Sequence, residues 1–293
     1  MSDFLSGYSI QSWLERCPQG YLEGTVYGHE KAEREPDELM KNEALREQQI
    51  RTTVNLIVGE RAALAASSGL VNAAPDQRSK TFLATQTLDE ARHVEIFSQR
   101  LLDLGVSQAD FESTINTYAN PHLVKFAGVL LEKVDKKDFV AGVVGQNIVL
   151  EGLAFSVFEM MHASAKIDNL KWAHTLAGTI ADERRHVGFG ENRIGALIRD
   201  NPGRKGEIEK MQKDMTGHML ATFAWTFGQD KDTVETVREM RKSSGKEEHA
   251  VYHGVDLNQA SSAEIEKLLA ETVIHEFKTR LARVGLDYQS PAA

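Results

Sequence analysis

Two copies of a five-residue pattern give this chain its strongest chemical signal. The string Asp-Glu-x-Arg-His occurs at 89–93 and again at 182–186. Residues three positions apart on an α-helix lie about 60° apart around the axis and about 4.5 Å apart along it, so the Glu and the His of each copy can bind one metal ion. Chance would produce the four fixed residues about once in 10⁵ positions, so two copies indicate a common cause.

A third Glu-x-x-His pair shows how little that spacing means by itself. Glu159 and His162 have it as well, but they lack the flanking Asp and Arg and have no counterpart elsewhere in the chain. Such pairs arise by chance in a Glu-rich sequence with 10 histidines. We interpret Glu159 and His162 as structural.

The helices that carry the two patterns explain how the patterns meet. The predicted core helices span about 37–67, 76–104, 139–165 and 170–199. Short turns join the first helix to the second and the third to the fourth, which gives two helical hairpins. Glu60 and Glu90 each lie roughly 20 Å from the first turn, and Glu151 and Glu183 stand in the same relation to the second. All four carboxylates should therefore lie at one level of a four-helix bundle.

The rest of the chain is predicted to surround this core within one all-α domain, 1–293. Its parts are an N-terminal arm (1–36), a four-helix core (37–200) and accessory helices (205–284). A connecting segment at 106–138 crosses the bundle, and a capping box at Ser261 and Glu264 opens the last helix. The polar stretch 229–259 is predicted to be mobile.

Carboxylates packed together in a helical core need compensation. Without it they repel one another and lose hydration, which raises their pKa values, whereas two divalent cations cancel four negative charges. Oxygen and imidazole ligands without thiolate suit iron, manganese or zinc. The alternative is that these side chains are exposed helix charges. The predicted metal ligands are Glu60, Glu90, His93, Glu151, Glu183 and His186.

The Asp and Arg of each pattern have predicted supporting roles. Metal-bound imidazoles usually donate their second N–H to a carboxylate. We predict a crosswise arrangement in which Asp182 orients His93 and Asp89 orients His186, while the arginines balance the buried aspartates. The alternative is that Asp and Arg form ion pairs facing solvent. The supporting residues are Asp89, Asp182, Arg92 and Arg185.

Composition argues against several classes of protein. The formal net charge of -9 offers no basic surface for nucleic acid, and the one cysteine, Cys17, cannot form an internal disulfide or a thiolate cluster. The N-terminus lacks the pattern of a signal peptide, and the apolar stretch 139–150 is broken by polar residues and is too short to span a bilayer. We expect a cytoplasmic protein without nucleic acid or membrane partners.

The ordered ligand set and the paired Asp-Glu-x-Arg-His strings resemble the oxygen-activating branch of the ferritin-like superfamily. That branch includes ribonucleotide reductase small subunits, ribonucleotide-reductase-like ligand-binding oxidases, multicomponent monooxygenase hydroxylases and arylamine N-oxygenases. The resemblance covers about residues 40–200. It implies a ferritin-like four-helix bundle with additional N- and C-terminal helices, a cofactor of two Fe ions or of Mn and Fe, O2 as a reactant, and a homodimer.

Diagnostic positions separate this chain from each subfamily. Where tyrosyl-radical reductase subunits carry the radical tyrosine, the chain has Phe97, and where methane-monooxygenase-like hydroxylases carry a threonine it has Phe155. The ether-crosslinked Val and Tyr of the ligand-binding oxidases would fall near Ala63 and Gln146, so that crosslink is not expected. Thr179 stands where the N-oxygenases have an extra histidine. No subfamily matches throughout.

The resemblance implies an oxidase or oxygenase that acts on a small, partly apolar organic substrate by hydroxylation, N-oxygenation or desaturation. The chain has no Cys-x-x-Cys, and its Gly-Phe-Gly at 188–190 lies inside a predicted helix, so an external electron donor is expected, a ferredoxin or a flavoprotein reductase. Apolar residues one turn from the ligands are predicted to line a substrate chamber, with simple core packing as the alternative. They are Ala63, Phe97, Ile148, Phe155 and Ile194.

Three other functions remain open at this stage. A ribonucleotide-reductase-type subunit would generate a radical for a larger partner, and Tyr288 would then be required. A ferroxidase or iron-storage protein would oxidise ferrous iron without an organic substrate, but the long extensions around the bundle argue against it. A structural metal protein would react slowly or not at all with O2.

Overall fold

Helices build almost the whole of this protein in a computed structural model that describes residues 28–229, 233–243 and 251–290. Within these ranges the exception is one short antiparallel hairpin of two strands. In chain order the elements are α1 (Asp37–Lys41), α2 (Glu43–Ala73), α3 (Gln77–Asp103), α4 (Phe111–Tyr118), α5 (Pro121–Asp135), α6 (Phe139–Val143), a π-helix (Val144–Leu150), α7 (Glu151–Asp168), α8 (Leu170–Asp200), a 3₁₀ turn (Pro202–Arg204), α9 (Lys205–Gln229), α10 (Thr233–Ser243), β1 (Val251–Tyr252), β2 (Val255–Asp256) and α11 (Ser262–Arg283).

The first helical hairpin consists of α2 and α3, which pack along their length. Each helix begins at a side-chain cap: Asn42 accepts the N–H of Leu45, and Asp76 accepts the N–H of Ser79. The predicted end of the first helix near 67 is wrong, since α2 continues to Ala73. Gly69 serves packing here: a Cβ atom on it would come within 2.3 Å of Val134 on α5.

The second hairpin consists of α6, the π-helix and α7 on one side and α8 on the other. Asn169 ends α7 and caps α8 by accepting the N–H of Trp172. The sequence predicts an uninterrupted α-helix from 139, but residues Val144–Leu150 form π turns. Such turns are rare and concentrate at functional sites because they change the direction of the side chains on them.

The connecting and accessory helices close the bundle. The connecting segment contains two helices, α4 and α5, and Asn120 caps α5. Helix α9 packs against α5 and the π-helix, and α11 packs against α7. The predicted capping box of Ser261 and Glu264 is present at the start of α11.

Part of the predicted mobile stretch 229–259 has regular secondary structure. Its described portion contains α10 and the β1–β2 hairpin, and Arg241 on α10 donates to Asp168, Ser164 and Asn258. These bonds hold α10 against the end of α7. The remainder of the stretch, 230–232 and 244–250, lies outside the described residues.

Only the end of the predicted N-terminal arm falls within the described residues, which start at 28. Glu35 is buried there, where it accepts from Arg100 of the first hairpin and from Asn169 of the second. The arm therefore joins the two hairpins at one end. The rest of the predicted arm, with Cys17, lies outside the described residues.

Two helical stretches, Glu43–Ala73 and Phe139–Asp168, are long and apolar enough to cross a membrane. In the second, 83% of the most apolar window is buried inside the bundle. Both stretches also carry a buried glutamate, Glu60 and Glu151 respectively. In the first stretch 44% of that window is buried. Packing in the core accounts for the apolar composition of the second stretch.

Candidate metal centre

Four carboxylates and two imidazoles meet between the four core helices. Glu60 comes from α2 and Glu151 from α7, while α3 and α8 each contribute a Glu and a His separated by one helical turn. All are buried, and Glu60 is the most exposed at 6%. The side chains brought together are Glu60, Glu90, His93, Glu151, Glu183 and His186.

One half of the centre surrounds His93. Its Nδ1 atom lies 3.4 Å from Glu60 Oε2, 3.5 Å from Glu90 Oε2 and 3.4 Å from Glu183 Oε1. The ligand atoms of these four residues all lie within 4.8 Å of one another, so one cation could contact all of them. We name this half the His93 position.

The other half surrounds His186. Its Nδ1 atom lies 3.4 Å from Glu90 Oε1, 3.6 Å from Glu183 Oε2 and 3.9 Å from Glu151 Oε1. We name this half the His186 position. Glu90 and Glu183 thus turn one oxygen toward each histidine, so each of these carboxylates could contribute a ligand atom to both positions.

The outer nitrogen of each imidazole contacts an aspartate from the opposite hairpin. Nε2 of His93 lies 3.2 Å from Asp182, and Nε2 of His186 lies 3.2 Å from Asp89. An Nε2–H that donates to a carboxylate leaves Nδ1 free to bind a metal. The structure thus has the crosswise pairing described from the sequence. The two arginines also reach across, Arg92 to Asp182 and Arg185 to Asp89.

The donor set fits metal ions. Four buried atoms in the centre have no hydrogen-bond partner: Nδ1 of His93 and His186, and Oε2 of Glu90 and Glu183. A buried polar atom without a partner costs about 1–3 kcal/mol, so four around one space would be a large penalty. Two cations bound there would satisfy all four.

Protons compensate the charges when metals are absent. Burial raises the pKa of Glu60 to about 8, although His93 beside it acts in the opposite direction. Burial and the charge of Glu183 raise the pKa of Glu151 well above its ordinary value. Burial favours neutral imidazoles, but the facing carboxylates outweigh it and raise the pKa of His93 and His186. The metal-free centre therefore holds protons on its ligands.

Metal uptake should release these protons. A histidine binds metal when neutral and a glutamate when ionised, so both must lose the protons that their raised pKa values retain, including Glu60 up to about pH 8. We expect affinity to rise about tenfold per pH unit for each proton displaced as the pH increases toward 8. Anaerobic titration with Fe²⁺ in weakly buffered solution containing a pH indicator measures the release. Equal affinity at pH 6 and pH 8 would contradict this assignment of protons.

Three buried amides lie beside the centre, and sequence reasoning missed them. Gln86 donates to Glu151 at 2.8 Å, Gln146 donates to the same oxygen at 3.1 Å, and Asn147 donates to the other oxygen at 3.0 Å. Gln86 lies one turn before Glu90, and the other two are the polar residues that interrupt the apolar stretch 139–150. Two polar residues inside an otherwise apolar stretch were therefore the sequence feature that could have indicated these amides.

Gln146 also joins two positions that the comparison of subfamilies singled out. Its side-chain nitrogen donates to the backbone oxygen of Ala63 at 3.1 Å. Ala63 and Gln146, near which the resemblance places the crosslinked pair of the ligand-binding oxidases, are therefore in contact in this chain through a hydrogen bond. The expectation that the crosslink is missing stays a prediction from the residue types.

A cavity of about 140 Å³ adjoins the centre on the side of Glu60, Glu151 and Glu183, which are part of its wall. Elements α2, α7 and α9 provide most of the remaining wall, which is mainly apolar. We call this space the inner cavity. Its apolar lining includes Leu56, Ala63, Leu150, Ala154, Val157 and Phe223.

The predicted chamber residues divide between the inner cavity and the core. Ala63 lines the cavity, but the structure does not place the other four on it. Phe97 and Phe155 belong to one buried apolar cluster, and Ile148 and Ile194 belong to another. The spacing of a residue from a ligand predicts which face of the helix it lies on. It does not predict whether that face lines a cavity or packs against another helix. Here the cavity forms where α9 covers the bundle.

Glu159 and His162, the pair interpreted as structural, lie away from the centre on α7. Both are only partly buried, and Glu159 lies 3.9 Å from Arg184. Among the residues that the structure describes, neither belongs to a group able to hold a metal ion.

Comparisons with known proteins identify the fold. No model of a known protein family and no curated protein matches the chain. An R2-like ligand-binding oxidase with an aerobically reconstituted metal cofactor, after photoconversion, is 15% identical, with a TM-score of 0.71 over 97% of this chain and 98% of that one. A variant of an R2-like ligand-binding oxidase with an Mn/Fe cofactor is 18% identical, with a TM-score of 0.64 over 80% and 79%.

A third solved structure is described as protein 19 with aldehyde deformylating oxidase activity from Synechococcus. It is 15% identical, with a TM-score of 0.59 over 85% of this chain and 94% of that one. These structures confirm the predicted fold class: the chain is an all-α, ferritin-like helical bundle.

Proposed function

We propose that this protein is a dinuclear, non-haem metal oxidoreductase that activates O2 and oxidises a small, partly apolar organic substrate. The cofactor is two Fe ions or Mn with Fe, and an external ferredoxin or flavoprotein reductase supplies electrons. One observation carries the proposal: Glu90 and Glu183 each face both histidines inside a buried centre in which four ligand atoms lack a hydrogen-bond partner. The oxidases with a similar fold support it.

The side chains around the centre have separable tasks. When bound, an iron or manganese-iron pair supplies the electrons that reduce dioxygen. The carboxylates would neutralise the ions, and Asp89 and Asp182 keep the two imidazoles in the orientation and tautomer needed for binding. Buried apolar side chains exclude bulk water from the space where a substrate would react.

The inner cavity is the proposed substrate chamber. Its wall contains Glu60, Glu151 and Glu183, so a molecule in it would lie directly beside the centre. The mainly apolar lining suits a hydrocarbon group and offers few partners to a charged one. A volume of about 140 Å³ limits what can enter to a small molecule or to one end of a longer one.

A second cavity provides a proposed route to that chamber. It has a volume of about 240 Å³ and lies near the end of the bundle where Asn169 and Arg241 are found. Thr52 and Met161 line both cavities, so these two side chains stand between them. Methionine is flexible and can change rotamer at low cost, which suits a residue on a path of entry.

Metal analysis followed by oxygen measurements tests the proposed function. We expect about two iron ions per chain after anaerobic loading, and rapid O2 consumption when the reduced protein meets air-saturated buffer. Screening apolar amines, alcohols and aldehydes should then reveal a compound that is oxidised in proportion to the oxygen used. A loaded protein that leaves O2 untouched would be a structural metal protein, and the proposal would be abandoned.

Filling the chamber should block the substrate and leave the metals in place. Ala154→Phe places a ring in the inner cavity, and we expect kcat/KM for the compound found in the screen to fall at least about tenfold with two ions still bound. Val124→Phe adds a ring on the surface, where Val124 is 50% exposed, and should change neither value. Unchanged kinetics in Ala154→Phe would place the substrate elsewhere.

Iron storage is separable from this proposal by stoichiometry. A storage protein takes up many ferric ions per chain in the presence of excess Fe²⁺ and O2, whereas the proposed oxidase keeps about two. Continued uptake into a mineral, without oxidation of any organic compound, would support storage instead.

The alternative function as a radical-generating subunit can be tested at Tyr288, which packs edge-on against Phe277. The position expected for a radical tyrosine holds Phe97, fully buried beside Phe158 and Trp172. If Tyr288→Phe lost all activity, and wild-type activity required a larger protein partner, the radical-generating function would replace the one proposed.

A further inference from the structure

The amide cluster of Gln86, Gln146 and Asn147 acts on one half of the metal centre. All three residues are fully buried. Both oxygens of Glu151 accept from the cluster: Oε1 from the two glutamines, and Oε2 from Asn147. A carboxylate oxygen has about two acceptor sites, and Gln146 shares its two hydrogens among Ala63, Glu90 and Glu151, so the amides occupy most of the acceptor capacity of Glu151 Oε1 when no metal is bound.

The carboxylate of Glu90, which faces both histidines, accepts amide hydrogen bonds at only one of its two oxygens. Its Oε1 atom, which faces His186, accepts from Gln86 at 3.1 Å and from Gln146 at 3.3 Å. Its Oε2 atom, which faces His93, is buried without a hydrogen-bond partner. The amides of Gln86 and Gln146 therefore contact the Glu90 oxygen that faces His186 and not the one that faces His93.

Two carboxylates remain at the His93 position. Glu183 accepts no amide hydrogen bond from any described residue, and its partnerless Oε2 atom faces His186, so the contrast is confined to Glu90 and Glu151. Glu60 accepts no amide hydrogen bond from any described residue, and its contact in the centre is with His93. A metal at the His93 position meets carboxylate oxygens that lack competing donors. A metal at the His186 position must displace at least one amide from Glu151 or share an oxygen with it.

Local structure keeps the cluster in place. Gln146 and Asn147 both lie on the π-helix, five and four residues before Glu151 respectively. A Cβ atom on Gly190 would come within 2.5 Å of Asn147, so this glycine permits the approach of α8 to the cluster. Asn147 also donates to the backbone oxygen of His186, which joins the amide cluster to that helix.

We propose that the amide cluster makes the two metal positions unequal, so that the His93 position binds its ion first and the His186 position binds more weakly. This inference rests on the proposed dinuclear function. A hydrogen bond to a charged group is worth about 1.5–3 kcal/mol, which corresponds to a difference of about ten- to a hundredfold in affinity. Stepwise filling is what a centre requires if it is to take up two unlike metals.

Anaerobic titration of the metal-free protein with Mn²⁺, in competition with a chelating dye, measures both steps. We expect two steps that differ about ten- to a hundredfold in affinity. His186→Ala should retain the tighter step, and His93→Ala should lose it. A single step for two equivalent ions would overturn the inference, whereas no binding at all would overturn the proposed function itself.

Gln86→Leu and Gln146→Leu test the role of the amides. Each should raise the affinity of the second step about tenfold, because a competing donor is gone, while the metal-free protein unfolds at a lower temperature. Gln212→Leu is the matched control, since Gln212 is as fully buried but donates to Thr216 away from the centre. If the amides only support packing, the glutamine variants will lose stability without any gain in the second step.

Discussion

Glu90→Ala is expected to lower the bound metal from about two ions per chain to less than one. Glu90 turns one oxygen to His93 and the other to His186, so a single substitution removes a ligand from both positions. We expect affinity at each position to fall at least about a hundredfold and O2 consumption to be lost. Elemental analysis of protein loaded with Fe²⁺ and then desalted measures the change.

Glu159→Ala is the matched control for this substitution. Glu159 begins a Glu-x-x-His pair of the same spacing, but it lies away from the centre and is partly exposed. This variant should keep about two ions and full oxygen consumption. Circular dichroism must show native helix content in both variants. Two tightly bound ions in folded Glu90→Ala would remove the basis for the proposed centre.

Metal loading is expected to raise the temperature of unfolding by about 10 °C or more. Each ion stabilises the folded chain by about 4 kcal/mol when its free concentration is a thousandfold above its Kd, because the unfolded chain has no preformed site. In the folded, metal-free chain the same site contains buried atoms without partners, His93 Nδ1 and Glu183 Oε2 among them. Thermal unfolding followed by circular dichroism, with and without loading, measures the shift.

The two variants provide a comparison for the shift in unfolding temperature on metal loading. In Glu90→Ala the shift should shrink to a few degrees or less, whereas Glu159→Ala should retain it in full. An equal unfolding temperature for the metal-free and loaded wild-type protein would mean that the ions bind weakly or outside the core.

The helical spacing of the ligands made the centre predictable from the sequence. Glu90 and His93 share one face of α3 whatever the rest of the chain does, because the period of an α-helix fixes their relation. Glu60 and Glu151 required one more step, the equal distance of paired residues from a turn. Both arguments rely on local geometry, which the sequence determines directly.

Features that depend on distant packing were not predictable in this way. Gly69 is a residue type that favours the end of a helix. Helix α2 nevertheless continues through it, because α5 packs against the helix at this position. The wall of the inner cavity includes Met219 and Phe223 from α9, which follows the last ligand in the chain. No periodicity within the core helices indicates which face α9 will cover. The π-helix likewise has no simple sequence signature.

The crosswise aspartates make each helical hairpin incomplete by itself. His93 belongs to the first hairpin and depends on Asp182 of the second, while His186 depends on Asp89 in the opposite direction. Neither half of the chain could present a correctly oriented imidazole before docking with the other. Separate fragments of the protein should therefore have little metal affinity until they are mixed, so that reconstituted metal binding would report directly on the docking of the two halves.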